Sequence, residues 1–288
     1  MNQIMRAIGL MSGTSMDGID VALIETDGHD HIKVLASSAL AYEQDFGDQL
    51  RQALEDAQHI VSREDRPGCL VEVETALTAW HIYAVAGLGM DADVIGFHGQ
   101  TVLHRPNLAL TVQLGDGVAL AQATGIDVVY DMRANDMEHG GQGAPLVPVY
   151  HRALAAQLDR EMREGGVAFI NIGGISNATF IFDGQDPVAF DCGPGNALID
   201  EWMLSRASLA FDDEGKSAAQ GVADDKIIER YLSSPYFSKS GPKSLDRQDF
   251  KLDGLDGLTT VDGAATLAKL TAGAIVASAR QQARIPQT

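Results

Sequence analysis

Basic residues are scarce in this sequence: 21 Lys and Arg stand against 40 Asp and Glu, a formal net charge of −19. A nucleic-acid binder needs a basic face for its phosphate contacts, so a general role of that kind is disfavoured. The same imbalance repels anionic substrates at long range. Any phosphate site must therefore be built locally, from backbone N–H groups, a metal ion and a few placed cations. Cysteine is scarcer still. Cys69 and Cys192 lie far apart and neither sits in a C-x-x-C pair, which argues against a disulfide framework or zinc ribbon and fits a reducing cytoplasm. No apolar run approaches the roughly 18–20 residues of a membrane span. The segment Met1 to Leu10 also lacks the apolar h-region of a secretory signal. Neither a membrane nor a nucleic acid is an expected partner.

What is present is 288 residues with 45% hydrophobic content. At about 150 residues per domain this suggests two domains or one large one, with enough core to exclude a disordered chain. The first forty residues read as strands Ala7 to Met11, Ile19 to Thr26 and Ile32 to Leu35. The loop Ser12-Gly13-Thr14-Ser15-Met16-Asp17-Gly18 joins the first two, and an Asp27-Gly28 turn joins the last two. Helical patterns follow over Phe46 to Ile60 and along Val73, Leu77, Trp80 and Ala84, whose spacing makes one buried stripe. Val94 to Phe97 reads as a short strand ending at His98-Gly99-Gln100-Thr101. A strand pair over Leu108 to Leu114, a helix over Gly117 to Thr124 and a strand over Asp127 to Asp131 complete this half.

The pattern then recurs. Val167 to Asn171 is a strand, Ile172-Gly173-Gly174-Ile175-Ser176 a tight loop, Asn177 to Phe182 a return strand, Asp183-Gly184 the turn and Val188 to Asp191 a third strand. We read this as duplication of a three-stranded meander with a glycine- and serine-containing loop between its first two strands; chance recurrence of a common motif is the plain alternative. A helix over Asn196 to Arg206, a polar turn-rich stretch over Ala210 to Leu258 and a last helix capped by Asp262 follow. Strands answering Val94 and Val128 do not. The second half is therefore expected to be incomplete, with an unpaired sheet edge.

Two tempting signatures are set aside. Ala210-x4-Gly215-Lys216-Ser217 approximates a P-loop, but a helical segment precedes it, and Asp212, Asp213 and Glu214 would repel a triphosphate. Gly87-x-Gly89-x-x-Ala92 follows a helix and precedes a strand, the reverse of a dinucleotide fingerprint. The loop from Ser12 to Asp20 is more informative. It offers several N–H groups, the hydroxyls of Thr14 and Ser15, and carboxylates at Asp17 and Asp20, which suit nucleotide phosphates and a hydrated Mg²⁺. A plain polar hairpin turn is the bland alternative. A second such hairpin at Gly173-Gly174 favours two phosphate-facing hairpins closing on one nucleotide. Asp191, at a strand end beside the turn Cys192-Gly193-Pro194-Gly195-Asn196, suits a general base; a turn or cap residue is the alternative. His98 reads as an oriented structural histidine rather than a metal ligand. Arg133 is a candidate anion contact, and Gly140 to Pro145 a hinge or substrate loop.

Together these residues resemble the anhydro-N-acetylmuramic acid kinase family of the sugar kinase/Hsp70/actin superfamily. The resemblance rests on Gly9-Leu-Met-Ser-Gly-Thr-Ser-Met-Asp-Gly-Ile-Asp20, His98-Gly-Gln-Thr101, Gly140-Gly-Gln-Gly-Ala-Pro-Leu-Val-Pro148, Asn171-Ile-Gly-Gly-Ile-Ser-Asn177, Phe190-Asp-Cys-Gly-Pro-Gly-Asn196 and Pro242-Lys243-Ser244. It implies an α/β fold of two duplicated RNase H-like domains, 1–133 and 134–288, the second incomplete at its C-terminus. It implies an ATP- and Mg²⁺-dependent enzyme that opens the 1,6-anhydro bond and phosphorylates O6, giving N-acetylmuramate 6-phosphate in cell-wall recycling in the cytoplasm. Gly13, Thr14, Ser15, Met16, Asp17, Gly18, Ile19 and Asp20, with Gly173 and Gly174, would carry the nucleotide. Asp17 and Asp20 would hold Mg²⁺ through water, and Gln100, Thr101 and Arg133 would face the sugar and its lactyl carboxylate. Asp191 would activate the water that attacks C1. Partners are then ATP and the anhydro sugar, and a homodimer is compatible with this reading. Departures from the family pattern are Cys192 in place of threonine, Leu245 and Asp246 in place of Thr-Gly, and an end before the expected Cys-Gly-Gly-Gly type loop that helps to hold adenosine. Two other readings stay open at this level: a levoglucosan-type kinase, and a truncated chain that binds sugar or nucleotide without turnover.

Overall fold

A computed structural model describes residues 3–13, 16–239, 241, 243–245, 249–282 and 285–286. The chain divides into two units, Met1–Leu146 and Val147–Thr288. The division falls after Leu146 rather than after residue 133. The segment that follows Arg133 is tied to the first unit: the Arg133 guanidinium donates to Gly143 O at 2.7 Å, and Gly143 N–H to Asp136 Oδ2 at 2.7 Å.

In the first unit, strands β1 (Met5–Ser12), β2 (Gly18–Thr26) and β3 (Ile32–Ala41) form the antiparallel meander read from the sequence. Helices α1 (Gln44–Asp56) and α2 (Leu70–Leu88) follow, then β4 (Val94–Arg105), β5 (Leu110–Leu114), α3 (Gly117–Thr124), β6 (Asp127–Tyr130) and α4 (Met132–Glu138). The sheet runs β3-β2-β1-β4-β5, with β6 also paired to β4. Both β1 and β6 are parallel to β4, so this mixed α/β sheet has the layout of an RNase H-like domain. Alternation explains its covered face. Ile8 and Leu10 of β1, Ile19, Val21 and Leu23 of β2, and Ile95 and Phe97 of β4 are all buried. They pack with Ala84 and Val85 of α2 and Leu120 of α3. A neighbouring cluster joins Phe46 and Leu50 of α1 to Val73 and Leu77 of α2. Each such side chain contributes about 1.5–3 kcal/mol by leaving water.

β4 corrects one expectation. The strand does not stop at His98 but continues to Arg105. Gly99 allows this with φ +68°, and a Cβ there would lie 2.3 Å from Leu114 O, so only glycine fits. Around this residue the register to β1 shifts between Leu10 and Ser12, and from Gln100 onward β4 pairs antiparallel with β5.

The second unit begins with α5 (Pro148–Ala156) and α6 (Arg160–Arg163), then the meander β7 (Val167–Ile172), β8 (Ile175–Ile181) and β9 (Val188–Pro194). Its sheet order is β7-β8-β9, wholly antiparallel. Helices α7 (Ala197–Ala207), α8 (Asp225–Leu232), α9 (Pro235–Ser238) and α10 (Thr260–Arg280) complete it. α5, α6, α8 and α9 lie where no helix was expected. The core gathers on α10, where Leu267, Leu270 and Ala274 pack with Trp202 and Met203 of α7, Ile228 of α8 and Phe237 of α9. α10 starts two residues before the expected cap. Thr259 is the N-cap, accepting from Asp262 N–H at 3.2 Å, while the Thr259 hydroxyl donates to Asp262 Oδ2 at 2.7 Å. The P-loop-like stretch bonds its own groups. The amides of Ser217 and Ala218 are taken by Asp212, and Lys216 pairs with Asp213 and Glu214.

Candidate active site

Each unit presents a hairpin loop between the first two strands of its meander. In the first, the chain passes from Ser12 at the end of β1 to Gly18 at the start of β2. Thr14 and Ser15 lie outside the described residues. Met16 takes φ +55° and donates its N–H to Gly13 O at 3.2 Å, which closes a tight turn. Asp17 O receives Tyr42 N–H at 2.9 Å. The side chains of Asp17 and Asp20 are on exposed residues, whereas Ile19 is 1% exposed and its side chain belongs to the core. Ile19 can therefore serve a ligand only through the backbone it places beside Ser12.

A buried network fixes the root of this loop. The Ser12 hydroxyl donates to Gln100 Oε1 at 2.5 Å, so the Tyr42 hydroxyl, 2.8 Å away, donates to Ser12 Oγ. Burial pushes the Tyr42 phenol up to about 12 and keeps it protonated as a donor. Gln100, expected to face sugar, is 1% exposed and is spent on Ser12. Tyr42 was not singled out from the sequence and Ser12 entered only as the start of the loop, because the three residues are separated by 30 and 88 positions.

Thr101 lies further along β4, and Arg133 lies on α4, joined to that strand through His98. Thr101 Oγ1 accepts from Gln113 Nε2 of β5 at 3.2 Å. Arg133 donates from Nε to His98 Nε2 at 2.8 Å. His98 Nδ1 lies 2.7 Å from Gly99 O. These two bonds define one tautomer: His98 is neutral, carries its proton on Nδ1 and accepts from Arg133. Burial and the Arg133 charge both hold His98 below its usual pKa. His98 thus orients Arg133, as the sequence reading of a structural histidine allows.

In the second unit, the Gly173-Gly174 turn approaches α7. Gly174 O receives Gly195 N–H at 2.9 Å and Gly173 O receives Asn196 N–H at 2.8 Å. The approach is so close that a Cβ on Gly195 would lie 2.0 Å from Gly173 O. The carbonyls of the two glycines are committed to this turn. Asp191 is not at a strand end, since β9 runs on to Pro194. A bulge opposite Ser176 and Asn177 makes this possible by placing Cys192 between the paired Asp191 and Gly193. Asp191 is fixed on both sides: its N–H donates to Lys243 O at 3.0 Å, and its carbonyl accepts from the Tyr236 hydroxyl at 2.5 Å. Among the described residues its carboxylate receives one hydrogen bond, from Leu245 N–H at 2.8 Å. Burial outweighs that bond and raises the carboxyl above its ordinary 3.8. Lys243 lies over the rings of Phe190 and Tyr236 at 5.1 and 4.7 Å and donates to Lys239 O and Gln281 Oε1. Lys243 of the family-like segment and Leu245, a departure from it, thus both bond Asp191; Pro242 and Asp246 lie outside the described residues.

Among the described residues no cluster of three or more His, Cys, Asp or Glu forms a metal cage. The exposed carboxylates of Asp17 and Asp20 instead suit a largely hydrated Mg²⁺ that shares its ligands with phosphate. No helix of the described residues is long and apolar enough to cross a membrane.

A family model described as anhydro-N-acetylmuramic acid kinase matches residues 5–287. The kinase of that name from Brucella canis is 50% identical over 295 residues, covering 100% of this chain and 79% of the relative. Its counterpart from Bradyrhizobium diazoefficiens is 52% identical over 278 residues, covering 93% and 74%. A solved Ppx/GppA-family structure from Aquifex aeolicus covers 84% of this chain and 65% of that one at 11% identity; its TM-score of 0.36 carries no argument.

Proposed function

We propose a division of labour for this chain, which belongs to the anhydro-N-acetylmuramic acid kinase family: the first unit binds nucleotide and sugar, and the second supplies the base. Family membership makes the chain an anhydro-sugar kinase. The finer reading is that ATP is the phosphoryl donor, Mg²⁺ accompanies it, and the reaction takes place in the cytoplasm. Backbone groups of the loop from Gly13 to Asp20 receive the phosphates, with Asp17 and Asp20 holding the hydrated metal. Mg²⁺, when bound, screens the phosphate charge, which matters in a protein of charge −19. Thr101 and Arg133 face the sugar, and Gln100 acts through Ser12 at the root of the loop.

An anhydro sugar has no free 6-hydroxyl to deprotonate, and so the proton to be removed is on water. Asp191 accepts that proton, the water oxygen bonds to C1, and the C1–O6 bond breaks. O6 takes up the electron pair and bonds to the γ-phosphorus, and ADP leaves. The products are N-acetylmuramate 6-phosphate and ADP. The observation that carries this reading is the carboxylate of Asp191: half-buried, bonded to one backbone amide and raised in pKa, it is poised to take a proton. Its neighbours Lys243 and Tyr236 hold its backbone, so its position does not depend on substrate.

The test is ADP release by the purified 288-residue chain, with ATP, Mg²⁺ and either 1,6-anhydro-N-acetylmuramic acid or levoglucosan. Turnover that depends on the amino sugar is expected. Turnover of levoglucosan alone would move the assignment to a neutral anhydro sugar, and turnover of neither would overturn it.

A further inference from the structure

Pro242-Lys243-Ser244 carries part of the family resemblance, and within it the Lys243 backbone bonds Asp191. The Lys243 side chain runs elsewhere, and the groups that hold its ammonium are neutral. It donates to the carbonyl oxygens of Lys239 at 3.0 Å and Tyr236 at 3.4 Å, and to Gln281 Oε1 at 3.1 Å. The ring centroids of Tyr236 and Phe190 lie 4.7 and 5.1 Å from it. These partners come from separate elements: Phe190 from β9, Tyr236 from α9, and Gln281 from the C-cap of α10. The Gln281 amide is a bridge, since its Nε2 donates to Phe237 O of α9. One ammonium thus gathers a strand, two helices and the irregular segment that follows α9. A lysine suits the place, because three N–H donors on a flexible stem can meet three oxygens while the stem covers apolar surface.

The same segment grips Asp191. Asp191 N–H donates to Lys243 O at 3.0 Å, and Leu245 N–H donates to Asp191 Oδ2 at 2.8 Å. A third bond, from the Tyr236 hydroxyl to Asp191 O at 2.5 Å, comes from a ring that the Lys243 ammonium faces. The side chain of Lys243 therefore ties together every group that bonds Asp191 from outside the sheet. Its charge does not act on the carboxyl directly, whose pKa answers to burial and to the Leu245 N–H. The titratable neighbours of Asp191 are Cys192 on β9 and Tyr236 on α9; Lys243 in turn acts on Cys192, and Asp249 on Tyr236. What Lys243 governs is where the Leu245 N–H sits.

We propose that Lys243 is a positioning residue for the general base: its ammonium locks residues 243–245 to α9 and α10 and so holds the Leu245 N–H on the Asp191 carboxylate. The inference rests on the reading of Asp191 as the base. An amide donor on the carboxylate favours its ionised form, and only that form can take a proton from water. The arrangement also accounts for leucine at 245 where the family pattern has threonine. The segment is anchored from position 243, and position 245 supplies a backbone N–H to the carboxylate.

Lys243→Met keeps an apolar stem over the rings and removes the charge and its donors. In the full chain, with ATP, Mg²⁺ and 1,6-anhydro-N-acetylmuramic acid, it should lower kcat by about three- to tenfold and move the acid limb of the pH–rate profile upward. Both KM values should stay within about twofold, since a positioning residue for the base acts on the chemical step. Lys243→Arg keeps the charge and the ring contact and should return the limb to its wild-type place. Gln281→Met removes the side-chain acceptor of the ammonium; it should move the limb the same way by less, and it carries the test if Lys243→Met does not fold. An unmoved limb in the folded variant, or the same loss in Lys243→Arg as in Lys243→Met, would overturn the positioning role. Hydrogen exchange reads the grip without relying on catalysis. The Leu245 amide should exchange about tenfold faster or more in the variant than in wild type, and equal exchange would overturn the proposal. Wild-type-like turnover in Asp191→Asn, by contrast, would overturn the reading of the base while leaving the exchange result in place.

Discussion

The two units repeat one meander and use it differently. In the first, β1 is flanked by β2 and β4, and the loop after Ser12 is rooted in side-chain bonds to Gln100 and Tyr42. In the second, the described sheet is the meander alone; the Asp191 carboxylate accepts from Leu245 N–H, and the Asp191 N–H donates to Lys243 O. The core of the first lies between sheet and helices, whereas that of the second gathers on one long helix, α10. The loop after Ser12 is thus fixed by a sheet that is paired around it, and Asp191 by backbone bonds from a segment beside its strand. Burial governs the pKa of Asp191, against the one backbone bond from Leu245.

Core truncation should separate the units most strongly. Leu77→Ala in α2 and Leu270→Ala in α10 remove fully buried side chains and should each cost about 2–5 kcal/mol. Calorimetry should show Leu77→Ala moving the transition of the first unit and Leu270→Ala that of the second; one shared transition moved equally by both would remove the distinction between the units.

Acid should come next, and it should act on the units with opposite sign. His81 is fully buried against Phe97, and burial lowers its pKa from 6.5 to about 4. Between those values the unfolded chain binds the proton and the folded one does not. Stability is therefore complete above pH 6.5 and is lost as pH falls towards 4, by on the order of 3 kcal/mol. Asp191 is raised, so the folded second unit binds its proton first, and falling pH relieves a cost there. Denaturant titrations at pH 7 and pH 5 should show the first unit weakening, with His81→Leu flattening the dependence.

A smaller effect is expected at the segment beside β9. Leu245→Pro deletes the N–H that favours ionised Asp191. It should lower kcat at neutral pH by up to about tenfold and shift the acid limb of the pH–rate profile upward, while Leu245→Val leaves both unchanged. The smallest effect should be Tyr42→Phe, which removes one hydrogen bond to Ser12 and should cost about 1 kcal/mol in the first unit. It should also raise KM for ATP more than KM for sugar, because the bond lies at the root of the nucleotide loop.

The parts legible in the sequence were those with local signatures. The stripe Val73, Leu77, Trp80 and Ala84 marked α2, and the Asp-Gly turns marked both meanders, with φ of +75° at Gly28 and +73° at Gly184. What escaped depended on contacts between distant residues. The continuation of β4 past His98 needed Gly99 and a partner strand that accepts a bulge. The run of β9 past Asp191 needed the bulge at Cys192. Gln100 read as a sugar contact, and nothing local announces that Ser12, 88 positions away, takes its side chain. Leu245 read only as a departure from the family pattern, yet it acts through its backbone N–H, which any residue except proline supplies.

The central claim is that the first unit binds while Asp191 of the second performs the proton transfer. Calorimetry and single-turnover kinetics on Asp191→Asn test it most directly. ATP and 1,6-anhydro-N-acetylmuramic acid should bind within about threefold of wild type, while the chemical step slows by about 10²–10⁴-fold, the usual scale for loss of a general base. Wild-type-like turnover in Asp191→Asn, or loss of turnover explained by loss of binding, would contradict it.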